Sequence, residues 1–178
     1  MKTILKELNK FTKSTIIIGG VILIYGYLTR IIPIYLFWES KTIGWGILSI
    51  GIVGLLLSLI KIRKEKKKKT LWHKIGIGVI GFIIFVHTLI IIILPFTDAY
   101  SISRNYVKEN SEIIKEVGEI TGYGFIPKGS ISIQSNSKGT TGTANITLIV
   151  KGTDKYLIIN VIVVKYYDTE WIVSEIYK

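Results

Sequence analysis

Residues 75–96 read IGIGVIGFIIFVHTLIIIILPF, a run without Asp, Glu, Lys or Arg. A helix needs about 20 residues, at about 1.5 Å rise each, to cross the hydrocarbon core of a bilayer. This run is long enough, and residues 16–37 and 43–60 upstream of it meet the same requirement. The first of these follows lysines, as a signal peptide does. It is longer than a signal h-region, contains Arg30 and lacks a small-x-small cleavage site, so it reads as a retained anchor. Charged and polar residues return after residue 97. The chain therefore reads as a membrane anchor over residues 1–97 and a small folded domain over residues 98–178, in keeping with a positive mean hydropathy over 178 residues.

Charge distribution predicts an orientation, because Lys and Arg accumulate in cytoplasmic loops. The leader carries Lys2, Lys6, Lys10 and Lys13 against Glu7, net +3. The connection between the second and third spans carries Lys61, Arg63, Lys64, Lys66, Lys67, Lys68, Lys69 and Lys74 against Glu65, net +7 of the total +11. The turn at residues 38–42 holds only Glu39 and Lys41, and residues 98–178 hold nine basic and nine acidic side chains. An arrangement with the N-terminus in the cytoplasm and the C-terminal domain outside it satisfies every segment. Aromatic rings that prefer a half-wet interface agree with it: Tyr35, Trp38, Trp45, Phe96 and Tyr100 form an expected outer belt, and Phe11 and Trp72 mark the inner side.

Lysines 66–69 could release counterions from nucleic acid. Between two spans they are read instead as topology determinants that touch anionic headgroups, with no nucleic-acid partner expected. Within the membrane, Gly19 and Gly26 share a face of the first helix with Arg30 and Pro33; Gly44, Gly51, Gly54 and Ser58 share one on the second; Gly78, Gly81 and Thr88 repeat the pattern on the third. Small residues permit close helix approach, so these faces describe a three-helix bundle or a seat for a partner's helices, unless they reflect only the general abundance of glycine in membrane helices. Arg30 and His87 are the notable intramembrane polar residues. They could meet as an interhelical contact, or Arg30 could snorkel toward headgroups or reach Glu39 while His87 bonds a nearby carbonyl or Thr88; the second reading is preferred. One histidine with no partner histidine or methionine pattern does not make a haem site, and no cofactor is expected.

The domain opens with helical spacing at Tyr100, Ser103, Tyr106 and Val107. Asn110 or Ser111 then caps a short helix over residues 112–117, which Gly118 stops. The period changes to two at Ile131 and Ile133, which alternate with serines, and again at Ala144, Ile146, Leu148 and Val150. Residues 156–166 are apolar on both faces, as in a strand covered on both sides, and residues 171–177 form a last strand. Residues 135–142 read as a polar loop, and Gly152 to Asp154 and Asp168 with Thr169 as tight turns. The fold class is α+β: three transmembrane helices, then N-terminal helices packed on an antiparallel sheet of four or five strands, with Trp171 as a core anchor.

The order Ile113-Ile114-Lys115-Glu116-Val117-Gly118, Gly142-Thr143-Ala144-Asn145-Ile146, Val150-Lys151-Gly152-Thr153-Asp154 and Trp171-Ile172-Val173 resembles the cytochrome oxidase complex assembly protein 1 family, over residues 98–178. The residues that carry it, Gly118, Gly142, Gly152 and Trp171, are structural rather than reacting groups. The resemblance implies an assembly chaperone that binds immature oxidase subunits without catalysis. The family's mitochondrial members have one span where this chain has three, and the lysine-rich leader with Glu7 is not a transit peptide, so a multi-pass protein of a bacterial plasma membrane is expected.

The residues themselves give no reason to expect an enzyme. There is no cysteine to supply a disulfide, a thiolate nucleophile or a sulfur ligand, and both histidines, His73 and His87, lie at the membrane. Glu109, Glu112, Glu116 and Glu119 recur at spacings that could hold a cation but read as a solvated face. Two functions remain: a non-catalytic assembly or scaffolding factor for other membrane protein subunits, or a membrane-anchored sensor or small-ligand-binding module. A lined apolar groove favours the sensor, and a flat surface or open sheet edge favours the scaffold.

Overall fold

The structure, a computed structural model, describes residues 8–32, 34–167 and 169–178. The expectations for Lys2, Lys6 and Glu7, for Pro33 on the small-residue face and for a turn at Asp168 lie outside the described residues. The chain forms two compact units, Met1–His87 and Thr88–Lys178.

The first unit holds α1 (Lys10–Ile31), α2 (Ser40–Glu65) and most of α3 (Leu71–Ile93). All three helices are long and apolar enough to cross a membrane. Helix α1 begins earlier than the apolar run, where the Asn9 side chain accepts a hydrogen bond from Phe11 N at 3.3 Å. It also ends earlier, at Ile31 rather than residue 37. Ile32 is extended, at φ −96° and ψ 118°, because a following proline ring disfavours the helical region for the residue before it. Helix α2 outlasts its apolar run to Glu65, since Lys, Arg and Glu are good helix formers and cations suit a helix C-terminus.

Helices α1 and α2 meet along glycines. A Cβ on Gly26 would lie 2.4 Å from Lys41 N, and one on Gly44 would lie 2.7 Å from Leu23 N. Gly19, Gly51 and Gly54 are as tightly opposed, by Leu48, Ile16 and Thr12. The repeat on α3 behaves differently, because Gly78 and Gly81 face open space. The small-residue seam is therefore that of a two-helix hairpin, and the α3 glycines do not extend it into a bundle.

The second unit comprises the last turns of α3, a 3-10 turn (Leu94–Phe96), α4 (Asp98–Glu109), α5 (Ser111–Val117) and five strands: β1 (Ile120–Tyr123), β2 (Lys128–Asn136), β3 (Gly139–Gly152), β4 (Tyr156–Lys165) and β5 (Ile172–Tyr177). Thr97 caps α4 by accepting from Tyr100 N at 3.3 Å, and Asn110 caps α5 by accepting from Glu112 N and Ile113 N at 3.0 and 3.1 Å. Gly118 ends α5 at φ 78°, in the left-handed region that favours glycine. Tyr100, Ser103 and Val107 face the core, whereas Tyr106 is exposed.

All strand pairs are antiparallel. Residues 142–151 of β3 pair with β4, so β1 and β2 lie end to end along the opposite side of β3, β2 against residues 139–147 and β1 against residues 150–152. β5 borders β4. The core forms between one sheet face (Ala144, Ile146, Leu148, Val150, Ile159, Val161, Val163) and Val107, Ile113 and Val117 of the helices. Two expectations need correction. Residues 135–142 are mostly strand, closed by a turn of Ser137 and Lys138 alone, because backbone ladder bonds do not require apolar side chains. β4 is covered on one face only: Ile159, Val161 and Val163 are fully buried, while Ile158, Asn160, Ile162 and Val164 are half-buried.

Candidate functional site

Three features position polar or junction residues. The first lies where α1 turns into α2. Arg30 donates to Gly26 O and to Trp38 O, the latter at 2.9 Å, and its guanidinium sits 5.7 Å from the centre of the Trp38 ring. The Trp38 indole donates to Ile34 O at 2.9 Å. Glu39 is buried at 1% exposure and close enough to attract the Arg30 charge. Arg30 thus pins the hairpin turn, and its hydrogen bonds go to the backbone, not to His87. His87 is exposed on α3. Trp38 and Tyr100, expected in an aromatic belt, are instead buried at 9% and 8% exposure. An amphipathic ring suits a packed site with one polar partner as well as it suits a headgroup layer.

The second feature is the basic connection. Lys61, Arg63 and Lys64 project from the last turns of α2, and Lys66, Lys67, Lys68 and Lys69 follow in an exposed turn with Lys67 at φ 51°. Arg63 donates to Lys69 O at 3.4 Å. These cations are spread over solvent-exposed positions, the arrangement a headgroup layer requires.

The third feature unites Gly118, Gly152, Gly142 and Trp171 in two close junctions. At one, Asp154 N donates to Val117 O at 3.0 Å, Thr153 N to Glu119 O at 3.0 Å, and Glu119 N to Thr153 Oγ1 at 3.1 Å. A Cβ on Gly118 would strike Thr153 Oγ1. The end of α5 is thereby stitched to the turn between β3 and β4. At the other, the edge of the Trp171 ring covers Gly142, where a Cβ would lie 2.6 Å from Trp171 Cη2.

Comparison with family models, curated proteins and solved structures finds no match to this chain. The physical features of the domain therefore carry its interpretation.

Glu116 accepts from Lys155 at 2.9 Å and from Lys178 at 2.5 Å. The hydrogen bond from Lys178, then that from Lys155, holds the Glu116 carboxyl below the ordinary glutamate range. The row of glutamates does not share one helix: Asn110 separates Glu109 from Glu112 and Glu116, and Gly118 separates these from Glu119. Among the described residues no three His, Asp or Glu side chains converge as a metal site.

A cluster that spacing did not indicate joins α4 to β1. Tyr123 donates through its hydroxyl to Arg104 O at 3.1 Å, and the Arg104 guanidinium lies 4.7 Å from the Tyr123 ring centre. Burial raises the phenol pKa of both Tyr100 and Tyr123, and nearby Arg104 partly offsets it. The only hint in the sequence is a tyrosine one helical turn before Arg104 on α4 and a second tyrosine at residue 123. On the opposite sheet face, Thr147 Oγ1 donates to Asn160 Oδ1 at 2.7 Å amid half-buried Ile158, Ile162 and Val164.

Proposed function

We propose that this chain is a multi-pass protein of a bacterial plasma membrane, with its basic connection in the cytoplasm and its sheet domain outside, acting as a non-catalytic assembly factor for other membrane subunits. The observation that carries this reading is the burial of Leu94, just past the end of α3, in the domain core at 4% exposure, with Ile90 packed beside it. The residues that close the last apolar helix are thereby part of the domain core. The half-exposed apolar face of Ile158, Ile162 and Val164 is a surface on which a segment of a neighbouring membrane subunit can dock. The resemblance of residues 98–178 to the oxidase assembly family makes a respiratory oxidase the first candidate client.

Two experiments test the proposal. The chain has no cysteine, so single substitutions give clean labelling. Ser174→Cys should react with a membrane-impermeant maleimide in intact cells and Lys67→Cys only after permeabilisation; the reverse pattern overturns the orientation. Purification from native membranes in mild detergent should recover terminal oxidase subunits, and recovery should be lost when the sheet domain is deleted. Absence of oxidase components, with oxidase activity intact after gene deletion, overturns the assembly role.

A further inference from the structure

The two borders of the sheet differ in a way that bears on self-association. Exposed strand edges invite pairing, and folded proteins blunt them with charges, prolines or bulges. β5 is blunted: it is short, carries Glu175, and its register shifts between Ile162 and Val163. β1 likewise has a register shift. β2 has only one of these devices, a single charge at its first residue, Lys128. Its register with β3 runs unbroken from Lys128 to Asn136, it holds no proline, and no charge follows Lys128. Among the described residues β2 pairs with β3 alone.

The sequence of this edge matches itself. In a two-residue hairpin the flanking residues, here Asn136 and Gly139, form a hydrogen-bonded pair, so the alternation sends the N–H and C=O groups of Gly129, Ile131, Ile133 and Ser135 away from β3. Antiparallel alignment of two β2 strands about Ser132 sets Ile131 opposite Ile133 of the second copy, Ser130 opposite Gln134, and Lys128 opposite Asn136. No like charges meet, the free backbone groups fall opposite one another, and Ile133, an isoleucine 60% exposed, gains an isoleucine across the strand pair. We infer that β2 binds a second copy of this chain, joining two domains through a continuous antiparallel sheet with Ser132 on the two-fold axis.

The test uses the full-length chain in its membrane, where cysteine can be introduced singly. Flanking residues exchange hydrogen bonds in this alignment, so Ser132 faces its copy as a non-hydrogen-bonded pair at about 4.5 Å between Cα atoms. That is within reach of a disulfide, which requires about 4.4–6.8 Å. Ser132→Cys should therefore yield an oxidant-dependent dimer band on non-reducing electrophoresis, while Ser130→Cys, four positions out of register with itself, should not. Adding Ile133→Pro to Ser132→Cys should abolish the band. Its lost N–H points away from β3, so edge proline is tolerated and the fold, monitored by thermal unfolding of the purified chain, should persist. The inference is overturned if Ser132→Cys stays monomeric, if Ser130→Cys cross-links equally, or if the band survives Ile133→Pro. Cross-linking of β2 to a different protein overturns it as well.

Discussion

A Cβ on Gly152 would lie 2.0 Å from the carbonyl oxygen of Val117, so the last residue of β3 and the last residue of α5 are in backbone contact. Any side chain at residue 152 must push the helix end off the sheet. Gly152→Ala should destabilise the domain by about 1–3 kcal/mol, the usual cost of overpacking. Gly122→Ala, where nothing lies within 4 Å, serves as the control. Denaturant unfolding followed by tryptophan fluorescence separates the two, and equal stability of both variants would refute the contact.

The helical hairpin should show the same selectivity. Gly26→Ile meets the Lys41 backbone, whereas Gly78→Ile projects into open space. Lipid gives helices no hydrophobic reason to associate, so close approach matters. Unfolding of the full chain in detergent should shift to a lower midpoint with Gly26→Ile and stay at the parent midpoint with Gly78→Ile.

Leu94 tests the union of span and domain. Truncating a buried leucine to alanine costs about 2–5 kcal/mol, so Leu94→Ala should lower the unfolding midpoint of the sheet domain. Phe96→Ala, at a residue 86% exposed, should leave it within experimental error.

Acid should loosen the anchor at Glu116. Its carboxyl is depressed in the folded chain, so its contribution is present above the unfolded glutamate pKa, near the ordinary 4.5, and is lost as pH falls through the lower folded value. Because the group is exposed, the effect is small and screened by salt. Glu116→Gln should flatten that part of the stability profile between about pH 5 and 2, as read by thermal unfolding at low ionic strength. An unchanged profile would exclude the two-lysine clamp.

Alkaline titration probes the opposite sign. Burial raises the Tyr100 and Tyr123 phenol pKa values. Their stabilising contribution is full below the ordinary tyrosine value near 10 and declines as pH rises through the higher folded values. Phenolate absorbance in the parent chain should show a late-ionising component, part of which Tyr123→Phe removes.

What the sequence revealed follows from how local each constraint is. Lipid demands unbroken apolar runs, so the three spans could be read directly, and Asn110 announced its helix because capping involves only neighbouring residues. The apolar run continues through Phe37 and so hides the end of α1, although Pro33 sits beside it. The rings of Tyr100 and Trp38 suit a headgroup layer and a packed site equally well, so residue type does not choose between them. Non-local features were not legible at all. The lysines on Glu116 come from 39 and 62 residues away, and the end-to-end placement of β1 and β2 depends on register along β3. The junction residues Gly118, Gly142, Gly152 and Trp171 could be singled out, yet only the fold shows which pairs meet.

The burial of Leu94 also imposes an order on biogenesis. Synthesis delivers Ile90 and Leu94, at the close of α3, before any strand of the sheet, so the first pieces of the domain core precede the strands that cover them. A recombinant fragment begun at the polar boundary, Asp98, would lack Ile90 and Leu94 and present a gap where they pack, so a fragment that keeps the whole core should begin at Thr88.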